Sequence, residues 1–167
     1  MKNLKDENNL DEELIAMAKE GFTEKVKLLY KAGASIVAKD NEALIQAAHF
    51  GHYEIVKFLV GMGSIITTRN SLALQEASMY GDIRIVKFLV EAGADIHACK
   101  GEALYWATIY GHYEITKFFL EKGVSPWALD GMALYHAIQN KRKKIIKLLE
   151  EWILKESWFE KLKEGTK

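Results

Sequence analysis

The chain has 167 residues, 49% hydrophobic and 28% charged, the balance of a folded domain and not of a disordered or membrane-embedded chain. Lys+Arg and Asp+Glu number 23 each, so no net charge draws in nucleic acid or an anionic membrane, and nucleic acid is not an expected partner. The single cysteine, Cys99, excludes an intramolecular disulfide and suits a reducing compartment. The polar N-terminus is unlike a secretion signal and no apolar run reaches membrane-spanning length, so the expected location is intracellular, cytoplasmic or else nuclear, without membrane insertion.

Residues 1–10 read as a polar lead-in. From residue 11 the chain repeats with a period of 30: Ala-Leu pairs stand at Ala43-Leu44, Ala73-Leu74, Ala103-Leu104 and Ala133-Leu134. One glycine series runs through Gly21, Gly51, Gly81 and Gly111, another through Gly33, Gly63, Gly93 and Gly123, and GHYEIVKFL from Gly51 returns as GHYEITKFF from Gly111. Self-similarity at this period is the signature of a stacked-repeat solenoid, here with units over 11–40, 41–70, 71–100, 101–130 and 131–154. Each unit reads as an inner helix, a tight turn at the first glycine, an outer helix ended by the second, and a returning loop. Asp11, Asn41, Ser71, Gly101 and Gly131 open the inner helices and suit an N-cap. Helices of about ten residues are marginal alone in water, so stacking must stabilise them.

In the first unit Leu14, Ile15, Met17 and Ala18 form the inner apolar face and Val26, Leu28 and Leu29 the outer one. Glu12, Glu13, Lys19, Glu20, Glu24 and Lys25 keep its other side wettable, as a terminal repeat requires. The units from 41 to 130 are the most regular: in the third of them Leu104, Ala107 and Thr108 share one face, and Ile115, Phe118 and Phe119 another. In the last unit Lys141 replaces the turn glycine, with Asn140 expected to take the left-handed conformation. Its outer helix opens on Lys141, Arg142, Lys143 and Lys144 and continues through Ile145, Ile146, Leu148, Leu149, Trp152 and Ile153. Ser157 and Glu160 then have the spacing of a capping box, predicting a separate C-terminal capping helix over 155–167 that folds Trp158, Phe159 and Leu162 over the open end.

The run Ala47-Ala48-His49-Phe50-Gly51-His52-Tyr53-Glu54-Ile55-Val56-Lys57-Phe58-Leu59-Val60, with Gly93-Ala94-Asp95-Ile96, resembles the ankyrin repeat, and the resemblance covers about residues 12–150. Two features depart from that family. Its Thr-Pro-Leu-His opening is here Glu42-Ala43-Leu44-Ile45 and its equivalents, and the period of 30 is shorter than the usual 33 or so, placing the shortfall between Gly93 and Leu104. The resemblance implies an all-α ankyrin-repeat solenoid of about five stacked helix-turn-helix units. It implies a non-catalytic protein–protein interaction module, an adaptor, scaffold or inhibitor, gripping a macromolecular partner by its concave inner-helix face.

By the same resemblance, that face is lined by Ala16, Lys19 and Glu20; Gln46, His49 and Phe50; Glu76, Met79 and Tyr80; Trp106, Ile109 and Tyr110; and His136, Gln139 and Asn140. Phe50, Tyr80 and Tyr110 recur at one position of three units, with Tyr105 and Trp106 beside the last, and large exposed aromatics suit contact with a protein. His52 and His112 sit in repeated Gly-His turns and read as backbone-bonding groups. His97 and Cys99 fall short of the ligand count of a zinc site, and no metal or cofactor is expected. No nucleophile-base constellation or phosphate loop stands outside the repeat register, so no enzyme is expected.

The basic run from Lys141 to Lys144 is the alternative binding surface, for nucleic acid or anionic lipid. Residues 1–24 hold seven acidic and three basic side chains, and residues 131–167 nine basic and five acidic. The expected state is a monomer, with head-to-tail self-association through these oppositely charged ends as the alternative.

Overall fold

The structure, a computed structural model, describes residues 4–164, with side chains over 9–69 and 71–156. Among the described residues all regular structure is helical: α1 (Leu4–Glu20), α2 (Thr23–Ala32), α3 (Ala38–His49), α4 (Tyr53–Gly61), α5 (Thr68–Tyr80), α6 (Ile83–Glu91), α7 (Ala98–Tyr110), α8 (Tyr113–Glu121), α9 (Met132–Gln139) and α10 (Lys143–Glu164). The chain forms two compact units, Met1–Asp95 and Ile96–Lys167, and the repeat domain expected over 11–154 spans both. In the first unit the inner helices α1, α3 and α5 pack in sequence, each outer helix lies on the inner helix before it, and α4 touches both α2 and α6. In the second, α7 packs on α8 and α9, and α10 packs on α8 and α9.

The period of 30 places the same apolar residues inward in every repeat. Leu14, Leu44, Leu74 and Leu104 are fully buried, as are Ile55, Leu59, Ile85, Leu89, Ile115 and Phe119 of the outer helices. Each such side chain stabilises the fold by about 1.5–3 kcal/mol relative to exposure. Leu28 departs from the expected outer face of the first repeat and stands exposed, while Val26 beside it is buried. The buried hydroxyls of Ser78 and Thr108 donate to the carbonyls of Leu74 (2.7 Å) and Leu104 (2.8 Å), so neither is left unpaired.

The turn between inner and outer helix is left-handed at Gly21, Gly51, Gly81 and Gly111. In three of these turns the next repeat also leaves no room for a side chain. A Cβ at Gly21 would meet the His52 ring at 2.6 Å, one at Gly51 the Tyr80 ring, and one at Gly111 the Arg142 guanidinium at 2.9 Å. In the last repeat Lys141, not Asn140, takes the left-handed conformation, with φ 55° against −86° for Asn140. Lys141 is exposed, so its side chain has the space the glycines lack.

The residues expected as N-caps act differently. Lys39, Asp40 and Asn41 are all left-handed, as are Cys99, Lys100 and Gly101, and positive φ recurs at Arg69, Ser71, Leu129, Asp130 and Gly131. The chain thus enters each of these inner helices through a single left-handed turn, and no strand forms between repeats among the described residues. The conformation costs an ordinary residue about 1–2 kcal/mol. Asp40, Asn41, Gly101, Asp130 and Gly131 are of the types that tolerate it, whereas Lys39, Arg69, Ser71, Cys99, Lys100 and Leu129 adopt it against their preference. The opening side chain reaches the following loop, 24 residues on. Asp11 Oδ1 accepts from the Ser35 amide (2.6 Å), Asn41 Oδ1 from Ile65 (2.7 Å) and Ser71 Oγ from Asp95 (2.9 Å). At Gly101 close packing takes over, because a Cβ there would lie 3.0 Å from Val124 Cγ1.

No new helix starts at Ser157: the backbone of α10 continues unbroken from Lys143 to Glu164, so the separate capping helix is replaced by one long helix. The expected capping box and the packing of Trp158, Phe159 and Leu162 lie outside the described side chains. Asp82 is a conventional N-cap: its carboxylate accepts from the Arg84 amide (2.9 Å) and from the Arg84 side chain (2.6 Å). These bonds, that of the guanidinium above all, hold its pKa below the usual aspartate value. The stability it contributes is therefore fully present at neutral pH and is lost as pH falls through the lowered pKa. Asp82→Asn is expected to flatten the acid limb of the melting temperature between about pH 5 and 2, measured by circular dichroism.

Candidate functional site

The residues expected on the inner-helix face are partly solvent-accessible, but they form two groups of different character. In the first unit the group is polar. His49 Nδ1 and Glu76 Oε2 are hydrogen-bonded at 2.6 Å, an ion pair when the imidazole is protonated, and Gln46 Nε2 donates to Glu42 Oε1 at 2.7 Å. Phe50 meets the His49 ring edge-on at 4.6 Å, and the Lys19 ammonium lies 5.6 Å from its centroid. Tyr80, exposed at the end of α5, covers the Gly51 turn and so both packs and faces solvent. Met79 is half-buried between these groups in sequence.

In the second unit the group is aromatic. Tyr105 and Trp106 have ring centroids 5.2 Å apart, Trp106 and Tyr110 6.2 Å, and Tyr105 and His136 of α9 5.7 Å. Tyr135 extends the cluster, 5.1 Å from His136, and Tyr110 stacks on His112 at 6.5 Å. These are offset and edge-to-face geometries, in which ring quadrupoles attract and hold the side chains in fixed orientations. Tyr110 and Tyr135 remain about half-exposed, at 48% and 53%. Ile109 is half-buried, and its carbonyl accepts from Arg142 Nε at 3.1 Å.

That last contact bears on the basic run. Lys141, Arg142, Lys143 and Lys144 are all exposed, but Arg142 serves the repeat lattice, bonding to Ile109 and covering Gly111. His52 does the same at the identical register position three repeats earlier, its Nε2 bonded to the Lys19 carbonyl at 2.9 Å. The residue after the turn therefore caps the inner helix of the preceding repeat. Among the described residues no three His, Cys, Asp or Glu side chains are placed to hold a metal ion, and no helix is long and apolar enough to cross a membrane.

Sequence reading missed Tyr135 and a polar seam at the start of the inner helices. Lys39 pairs with Glu12 at 2.8 Å and Arg69 with Glu42 at 2.9 Å, and Arg69 Nη2 also donates to the Lys39 carbonyl. Its signal was present: these pairs, His49 with Glu76, and Asn41 with Thr68 are all 27 residues apart. Opposite charges three short of the period mark contacts between consecutive inner helices.

Comparison with known families agrees with this architecture. The family model for ankyrin repeats, in three copies, matches residues 14–99 and 74–152. No curated protein matches the sequence. With helix pairs at a constant register through most of its length and this match across them, the chain belongs to the ankyrin-repeat family.

Proposed function

We propose that this chain binds a protein partner through its inner-helix residues, with the aromatic cluster of α7 and α9 as the anchor. Ankyrin repeats are in general non-catalytic protein–protein interaction modules, and that family membership supports this class of function. The observation that carries the finer reading is the set of rings formed by Tyr105, Trp106, Tyr110, Tyr135 and His136. Half-exposed aromatics combine large apolar area with polar tips, and they dominate the energetics of protein interfaces. Their mutual ring contacts hold them in place before binding, which lowers the entropic cost of association. The polar residues Gln46, His49 and Glu76, with Phe50, Met79 and Tyr80, offer the first unit a second, more hydrophilic contact surface.

The test is capture of the partner from the native cell, followed by affinity measurement with purified components. Trp106→Ala with Tyr110→Ala is expected to leave the fold intact, because both side chains are partly exposed, and to weaken binding about 30-fold or more. Lys143→Glu with Lys144→Glu is expected to change affinity little. The reverse pattern, with affinity lost on charge reversal and falling steeply with salt, would replace this reading with an electrostatic one.

A further inference from the structure

The last repeat keeps apolar side chains at the positions by which a repeat receives its successor. In α3 and α4, against which α5 and α6 pack, Ile45, Ala48 and Val56 are 5%, 0% and 0% exposed. In α7 and α8, against which α9 and α10 pack, Thr108 and Thr116 at two of these positions are likewise fully buried. Tyr135, Ile138 and Ile146 hold the same three places in the last repeat, yet Tyr135 is 53% and Ile138 50% exposed, and Ile146 is half-buried. Met132, one turn before Tyr135, extends the uncovered stripe.

The first repeat has the converse feature. Leu28 is 64% exposed at the register position from which Phe58 reaches back to Tyr30 (5.7 Å, edge to face) and Phe88 to Tyr53 (6.1 Å). Met17 is half-buried where Ala47 is fully buried. One end thus has an uncovered receiving face and the other an uncovered leading face. Their charges are opposite: seven acidic against three basic among residues 1–24, nine basic against five acidic among residues 131–167.

We propose that the chain self-associates head to tail, the first repeat of a second copy stacking on the open face of the last at the 30-residue register. The repeat lattice fixes which side chains meet. Tyr80 covers the Gly51 turn, and His52 covers Gly21 as Arg142 covers Gly111. Applying the same step to the Lys141 turn brings Glu20 and Phe22 of the second copy over the Lys141 ammonium, a carboxylate and an aromatic ring against a cation. Such a contact is heterologous and does not close on two copies. It is also weak, because Glu13 stands where Ala43, Ala73, Ala103 and Ala133 are buried, and covering a carboxylate is costly. The chain is then a monomer when dilute and assembles as its concentration rises. This inference shares Tyr135 with the aromatic cluster, but it is argued from the two ends of the chain and its test does not read partner binding.

Sedimentation velocity on the full chain, from micromolar to millimolar concentration and at low and high salt, is the test. Wild type is expected to form species growing past the dimer with concentration and shrinking with salt. Ile138→Asp is expected to weaken association about tenfold or more, and Glu13→Ala to strengthen it about tenfold. Glu20→Lys and Lys141→Glu should each assemble poorly alone but recover when mixed, since each then offers the other a complementary end. These side chains are exposed, apart from part of Ile138, so circular dichroism should show wild-type folding throughout. A wild type that stays monomeric at every concentration, growth that stops at a dimer, or a mixture that fails to recover would overturn the proposal.

Discussion

Leu104→Ala is expected to lower the free energy of unfolding by about 2–5 kcal/mol, a loss read as a fall in the denaturant midpoint by circular dichroism. Leu104 is fully buried on α7, which packs on both α8 and α9, so truncation leaves a void within that packing. Short helices cannot close a void by moving independently, because each is held by its turn and its neighbours. Total stability of a domain is about 5–15 kcal/mol, so this one side chain decides a large share of it. Leu104→Met conserves volume and is expected to cost less than about 1.5 kcal/mol. A loss below about 1 kcal/mol for the alanine variant would mean that this register position does not carry the packing assigned to it.

Asn41→Ala is expected to cost about 2–4 kcal/mol, large for a polar side chain. Two effects add. Asn41 is buried, and its side chain accepts from the Ile65 amide at 2.7 Å and donates to Thr68 Oγ1 at 2.9 Å, so its removal leaves both without that partner. Its φ of 63° is also one that asparagine tolerates better than alanine. Asn41→Gly relieves the backbone and not the lost bonds, so it should recover about 1 kcal/mol. Asn41→Asp retains the acceptor, as Asp11 does in the first repeat, and should lie nearer to wild type. Hydrogen exchange reads the mechanism directly: the Ile65 amide should exchange faster in the alanine and glycine variants than in the aspartate variant. Equal protection in all three would show that the side chain acts as a helix cap and not as a clamp on the following loop.

These two residues also mark how far sequence reading reaches. The burial of Leu104 was legible because it follows from periodicity alone: Ala-Leu recurs every 30 residues, and a short helix ended by glycine must turn that pair inward. The role of Asn41 was not, because the residue types that suit an N-cap also suit an acceptor for the next loop. Only the stacking step shows which donor comes within reach, the Ile65 amide 24 residues away. The same holds for Lys141. Sequence pointed to Asn140 for the left-handed turn on intrinsic preference, whereas the fold puts an exposed lysine there, while at Gly21, Gly51 and Gly111 a neighbouring ring or guanidinium occupies the space a side chain would need.

For the candidate site, the repeating aromatic position of Phe50, Tyr80 and Tyr110 could be read directly, and so could the proximity of Tyr105 and Trp106 on one helix. That Tyr135 and His136 of the next inner helix join them in one cluster depends on the offset between α7 and α9, which no single-helix pattern contains. By itself, then, the sequence determined the repeat, its helix pairs, its buried leucines and its family. The tertiary structure decided which polar side chains clamp neighbouring repeats, where α10 runs unbroken, and which aromatics meet. The division has a physical cause: the direction in which a side chain points is set within one helix turn, whereas its partner is set by the displacement between stacked helices.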